Sequence, residues 1–142
     1  MSSAPAPVEL DFADFDAVGI AGEIVLALRR YTFGAGVAAV ATVSAPDGWH
    51  GLLLTARPGG HVELRVRYGG LTASRQHNVW RALAEREWRD EDGDGWVRRY
   101  PPGTDATTVA FEILAALTLA GAPSDTRKVS AVDAAGAPVP LR

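Results

Sequence analysis

The chain has 142 residues and a net charge of −3, and 47% of its residues are hydrophobic against 22% charged. These values are typical of one globular domain, and they disfavour a disordered chain or a nucleic-acid binder with a basic face. The absence of cysteine excludes disulfides, thiolate catalysis and cysteine-ligated zinc. The start has no signal-peptide pattern, and the longest apolar run, residues 20–28, is shorter than the roughly 20 residues that span a bilayer. We therefore expect a cytoplasmic protein with no membrane partner.

The first half predicts a flexible tail, a helix and three strands. Residues 1–10 contain Pro5 and Pro7 and little apolar surface, which is typical of a tail. A helix begins at Asp11 or Asp14 and ends at the glycines of residues 34–36, with an apolar stripe on one side. Three strands in hairpin order follow at 37–45, 49–57 and 61–68, with Pro/Gly turn signals between them. The third strand alternates between apolar and polar residues, which is typical of a sheet with one covered and one solvated face.

The second half predicts two helices and further strands. A helix at 74–87 faces Val79, Trp80 and Leu83 inward, and a hairpin at 88–100 follows it. A third helix spans 104–120, residues 127–132 have strand character, and 134–142 form a loose tail. The order α-βββ-α-ββ-α predicts an α+β domain over residues 11–133, with a single antiparallel sheet and helices packed on one face. The third helix is too apolar to face water, so the sheet, a second copy or a client must cover it.

The acidic turn at 90–95 resembles the opening of a calcium loop. Asp90, Asp92 and Asp94 have the D-x-D-x-D-G spacing, but the twelfth position, where such a loop needs a bidentate Glu, is Pro101. Arg98 stands at the ninth position and adds repulsive charge. We therefore interpret the segment as a solvated hairpin turn.

Other patterns of reactive residues are weak. His50 and His61 stand at opposite ends of a strand pair, and His77 opens a helix, so we expect no metal site. No serine lies in a G-x-S-x-G elbow, and no Gly-rich loop precedes a helix as a phosphate cradle does. We expect neither a cofactor nor catalysis. Trp49, Trp88 and Trp96 flank turns, and we predict that they contact a partner, since tryptophan is enriched at interfaces.

With this element order, the chain resembles the bacterial type III secretion chaperone-like, YbjN-like group of peptide-binding chaperone domains. The resemblance is carried by the second helix with Leu83 and Trp88, by residues 95–98 (GWVR), and by the apolar helix that closes on residues 121–123 (GAP). It implies an adaptor without chemistry that binds an extended segment of a client protein, often as a homodimer.

Two other hypotheses remain open. One is an immunity-type or other interaction protein that caps one folded partner. The other is a small-molecule-binding domain or an enzyme, which a deep polar pocket near Arg65, Arg67 or His61 would favour. The client's identity and the oligomeric state are not encoded in any pattern that we recognise.

Overall fold

In the part of the chain that the structure describes, seven strands form one antiparallel sheet and three helices lie on one of its faces, which confirms the predicted α+β class. The computed structural model describes residues 7–11, 15–44, 50–68, 72–91, 95–119 and 126–141. The elements are β1 (Val8–Asp11), α1 (Ala17–Ala35), β2 (Ala39–Ser44), β3 (His50–Ala56), β4 (Val62–Tyr68), α2 (Ala73–Glu85), β5 (Arg89–Asp90), β6 (Trp96–Tyr100), α3 (Ala106–Leu119) and β7 (Thr126–Asp133). Their spatial order in the sheet is β1-β7-β2-β3-β4-β6-β5.

The alternation of apolar and polar residues along the strands determines which face of the sheet the helices cover. In β4, Val62, Leu64 and Val66 are at most 2% exposed and join the core, whereas Glu63 and Arg65 lie on the other face. β2 and β3 follow the same period, with buried alanines, valine and leucines toward the helices. We call the uncovered side the open face. One contiguous apolar core thus forms between the sheet and the helices.

The apolar helix α3 is covered mainly by α1 and the sheet. Its buried side includes Val109, Ile113 and Leu117, and the guanidinium of Arg29 on α1 donates to the carbonyl of Thr104 just before α3. The intramolecular cover is incomplete, because Phe111 stays 58% exposed. The sheet and α1 therefore supply most of the cover that the sequence required.

The two predicted tails need correction where the structure describes them. Val8–Asp11 form an edge strand that pairs with β7, because Val8 and Leu10 alternate with polar residues and reach the core. At the other end, the Asp133 side chain accepts hydrogen bonds from two backbone N–H groups and closes a turn. This turn returns Val139 and Leu141 to the core, where they are 2% and 7% exposed.

Candidate functional site

A groove with a volume of about 730 Å³ runs along the outer edge of β6. The register of β5 with β6 covers two residue pairs, Arg89 with Val97 and Asp90 with Trp96. Within the described part of the chain, the next residues of β6 have no strand on that side, and they border the groove instead. The groove is lined by Ala84, Glu87, Trp88, Arg89, Val97, Arg98, Arg99, Tyr100 and Pro101.

The hairpin fixes which backbone groups of β6 point into this groove. The Glu91 N–H donates to the Gly95 carbonyl at 3.0 Å, and hydrogen-bonded pairs alternate along an antiparallel ladder. Val97 and Arg99 therefore direct their N–H and C=O groups outward, and Arg98 directs its own toward β4. Since β5 has ended before Arg99, that residue offers one donor and one acceptor to the groove. Pro101 has no N–H and closes the edge.

Side chains from both faces of β6 line the groove. Arg98 and Tyr100 share the helix-covered face with their β4 partners, whereas Val97 and Arg99 lie on the open face. Trp88 and Val97 are each 2% exposed, so the apolar part of the lining is well packed. A segment laid along this edge as a strand would direct alternate side chains to the two faces.

The sharp exit from α2 places Trp88 beside the groove. The Trp88 N–H donates to the Leu83 carbonyl and the Glu87 N–H donates to the Ala84 carbonyl, which is the Schellman pattern at a helix end. Glu87 stands at the left-handed position with φ of 70°, where glycine is usual. The turn that places Trp88 in the core therefore requires a strained backbone conformation at Glu87.

A buried carboxylate, Glu112 on α3, holds this region together. It accepts two hydrogen bonds from Arg86, both at 2.9 Å, and one from the indole Nε1 of Trp88 at 2.7 Å. Arg98 Nη1 lies 3.4 Å from Glu112 Oε1 and also donates to the Arg86 carbonyl. One carboxylate thus connects α3, the end of α2 and β6 behind the groove.

The electrostatics of this cluster favour a charged Glu112. Burial by itself raises the pKa of the carboxyl, but the hydrogen bonds from Arg86 and Trp88, with the charges of Arg86 and Arg98, outweigh it and lower the pKa below its usual value. The bonds to Glu112 likewise raise the pKa of Arg86 against the effect of its burial. Burial also raises the pKa of Tyr100 to about 12, so its hydroxyl stays protonated. These shifts keep the Glu112 carboxylate and the Arg86 guanidinium charged at neutral pH, which stabilises the contact between α3 and the end of α2.

A second ion-pair network ties the β5–β6 hairpin to the open face. Arg99 donates to Glu91 at 2.7 Å and to Glu63 at 3.1 Å, and Arg65 Nη2 lies 3.3 Å from Glu91 Oε1. The hydrogen bond from Arg99 lowers the pKa of Glu91, and the same bond raises the pKa of Arg99. The network holds Arg99 over the sheet and leaves its backbone groups facing the groove.

The predicted partner-binding tryptophans have different outcomes. Trp88 is 2% exposed and bonded to Glu112, so the expectation of an exposed contact there is wrong. Trp96 is partly buried and stacks on Trp80 with ring centroids 6.4 Å apart. Trp80 itself is 39% exposed, which corrects its assignment to the core. Trp49 lies outside the described residues. The surface aromatic pair is therefore Trp80 and Trp96.

The other candidate sites do not converge. The register sets His50 opposite Tyr68, while His61 precedes Val62 at the far end of the same strand pair. Among the described residues, no three His, Cys, Asp or Glu side chains lie close enough together to hold a metal ion. The acidic turn lies partly outside the described residues. None of the α-helices described here combines the length and the hydropathy needed to cross a bilayer.

Sequence reasoning missed the Glu112 cluster. The available signal was a single carboxylate inside an otherwise apolar helix, since a buried charge requires partners elsewhere in the fold. Arg86 and Arg98 gave no local signal, because their convergence depends on the turn after α2. In comparisons with known proteins, no family model, curated protein or solved structure matches this chain.

Proposed function

We propose that this protein is a non-catalytic binding module that takes an extended segment of a client polypeptide along the outer edge of β6. The observation that carries the proposal is the groove at the point where β5 ends and Arg99 turns its backbone donor and acceptor outward. Strand addition uses such groups for affinity and flanking pockets for specificity. The proposal agrees with the adaptor role that the resemblance to secretion chaperones implies, which stays a prediction.

The residues that line the groove along β6 also indicate which kind of client segment fits it. One carboxylate, Glu87, stands among three guanidinium groups, those of Arg89, Arg98 and Arg99. Arg98 and Arg99 are already ion-paired within the fold, while Arg89 is exposed and has no ion-pair partner among the described residues. A segment with an acidic side chain opposite Arg89 and a small apolar side chain toward Val97 fits these walls. The edge is short, so we expect affinities in the micromolar range or weaker, since each net hydrogen bond contributes about 0.5–1.5 kcal/mol.

A second candidate function rests on a different surface. Phe33 and Leu26 of α1 are 84% and 47% exposed, and Phe111 of α3 is 58% exposed. Large apolar side chains on the outside of a helix layer are typical of a contact with a folded partner or a second copy. This surface favours the alternative in which the protein caps one folded partner, or forms a homodimer.

The test starts with selection of peptides from a random display library on the purified protein. The dissociation constant of a selected peptide is then compared between Arg99→Ala and Arg99→Pro. Both variants lose the side-chain ion pairs of Arg99, but proline also removes the N–H that points into the groove. We expect Arg99→Pro to bind at least about tenfold more weakly than Arg99→Ala, because it loses a main-chain hydrogen bond and leaves the partner group unpaired.

Equal affinities for the two variants would contradict strand addition at this edge. If the selection enriches no peptide and sedimentation shows a stable homodimer, the results would instead support the second candidate function, in which the surface around Phe33, Leu26 and Phe111 binds a partner. Circular dichroism of both variants provides the control for folding, since the ladder N–H groups of β6 that face β4 are unchanged.

A further inference from the structure

A second groove, of about 390 Å³, lies where the end of α1 meets two loops. One loop is the turn between β3 and β4, and the other connects β6 to α3. Its lining is unusual because three of its residues are arginines and none is acidic. The lining residues are Arg29, Arg30, Thr32, Phe33, Arg57, Pro58, Gly60 and Gly103.

The positive charge in this groove is not neutralised within the described part of the chain. Arg29 donates from Nη1 to the Thr104 carbonyl at 2.6 Å, and its Nη2 is buried with no acceptor among the described residues. Arg30 and Arg57 are exposed, and no described carboxylate lies within ion-pair distance of either. Elsewhere in the molecule, by contrast, Arg86, Arg98 and Arg99 each contact a glutamate. Three guanidinium groups around one groove attract an anion strongly.

The loops that carry the groove are held in place by close backbone contacts. The Arg57 N–H donates to the His61 carbonyl at 3.0 Å, and the Gly60 N–H returns to the Arg57 carbonyl at 2.9 Å. Gly60 has φ of 96°, and a Cβ built on it would stand 3.1 Å from the Cβ of Pro102. The turn therefore packs directly on the loop before α3, which fixes the position of the Arg57 backbone relative to α1.

We propose that this groove binds a small-molecule oxyanion carried on an aromatic or apolar group, such as an aryl phosphate monoester. The guanidinium groups of Arg30 and Arg57, with Arg29 behind them, bind the oxyanion through charge-assisted hydrogen bonds. Phe33, 84% exposed at the rim, packs against the apolar carrier. This site is separate from the β6 edge and does not depend on the function proposed for that edge. It also lies apart from Arg65, near which a deep polar pocket would have favoured a small-molecule-binding domain; Arg65 belongs to the ion-pair network on the open face.

The test is a titration of the ¹⁵N-labelled protein followed by ¹H–¹⁵N correlation spectra. Phenyl phosphate, inorganic phosphate and malonate are added in parallel, with sodium chloride at matched ionic strength as the baseline. We expect saturable shifts at the backbone amides of 29–33, 57, 59–61 and 103, with phenyl phosphate several-fold tighter than inorganic phosphate. Phosphate binding more tightly than malonate would assign a phosphate ligand, and equal binding would assign a general dianion; both support the site.

Matched variants separate the site from general surface charge. Arg57→Gln and Arg30→Gln should each weaken phenyl phosphate binding at least about tenfold, since each removes charge-assisted hydrogen bonds. Arg75→Gln removes an exposed arginine on α2, outside the groove, and should leave the affinity unchanged. Non-saturable shifts equal to those with chloride would overturn the proposal, and so would an equal loss in Arg75→Gln and Arg57→Gln.

Discussion

Replacement of Glu112 by glutamine tests the buried carboxylate that holds α3, α2 and β6 together. The amide keeps the size of the side chain and one acceptor, which can still accept from Trp88. Its NH₂ group then faces the guanidinium of Arg86, where two donors meet. The variant therefore loses the bond from Arg86 Nη2 to Oε2, and it weakens the bonds that Arg86 Nε and Trp88 donate to Oε1, which now end on a neutral acceptor.

The structure gives the size of the effect. A hydrogen bond to a charged group contributes about 1.5–3 kcal/mol, but the Arg86 side chain is 44% exposed and regains water when the bonds break. We therefore count about 1 kcal/mol for the lost Arg86 Nη2 bond and about 0.5–1 kcal/mol for each of the two bonds that now end on a neutral acceptor. The free energy of unfolding should fall by about 2–3 kcal/mol, which corresponds to a decrease in Tm of about 8 °C for a chain of this length.

Urea unfolding followed by tryptophan fluorescence measures this difference, with Glu23→Gln, an exposed acid on α1, as the control. The pKa of Glu112 is lower in the folded state than in the unfolded state, where it is about 4.3. The contribution of Glu112 to the free energy of unfolding is therefore complete above the unfolded-state pKa and is lost as the pH falls through the folded-state pKa. The gap between the native chain and Glu112→Gln should therefore be constant near pH 7 and shrink below about pH 4.3. A gap under about 0.5 kcal/mol at pH 7, or one that does not shrink in acid, would refute this reasoning.

Four further substitutions have definite expected outcomes in the same urea assay. Trp88→Phe should cost about 2–3 kcal/mol, since it removes both core volume and the indole donor, whereas Trp80→Phe should cost less than about 1 kcal/mol; equal costs would contradict the core assignment of Trp88. Leu141→Ala should cost about 2–4 kcal/mol if the end of the chain packs on the core, and a cost near zero would show a loose tail. Glu87→Gly should stabilise the fold by about 0.5–1 kcal/mol, because glycine adopts positive φ without strain, and a loss of stability would show that the Glu87 side chain contributes more than its backbone costs.

Local patterns predict most of the architecture. The alternation of residues 61–68 and the stripe of α1 each report a period that the fold reproduces, and the Pro/Gly signal after β3 lies at the turn between β3 and β4. Gly36 ends α1 in the left-handed conformation, with its N–H bonded to the Thr32 carbonyl, as the glycine signal indicates. Apolar content also predicts correctly that the fold buries a large part of α3, although Phe111 stays exposed.

Long-range contacts determine the features of the fold that local sequence patterns do not predict. Val8–Asp11 are too short and too close to Pro7 to predict a strand, and their pairing depends on a partner more than 100 residues away. Trp88 is buried because the Schellman turn at Glu87 directs it toward the core, whereas Trp80 stays on the exposed side of α2, on which Val79 and Leu83 are the buried residues. Similarly, the arginines of the second groove come from two places in the chain, Arg29 and Arg30 from α1 and Arg57 from the turn after β3, and no short sequence window contains all three.

The position of β7 between β1 and β2 has a consequence for biosynthesis. About 80 residues separate β2 from β7 along the chain, so at about 5–20 residues per second the ribosome takes about 4–16 s to deliver the missing neighbour. During that interval β2 presents an unpaired edge, and β1 has no strand to join. The β2–β3–β4 meander can form on the ribosome, but closure of the sheet must wait until Asp133 has left the exit tunnel. The nascent chain therefore spends several seconds with an open apolar edge, a state in which unpaired strands are prone to associate with other chains.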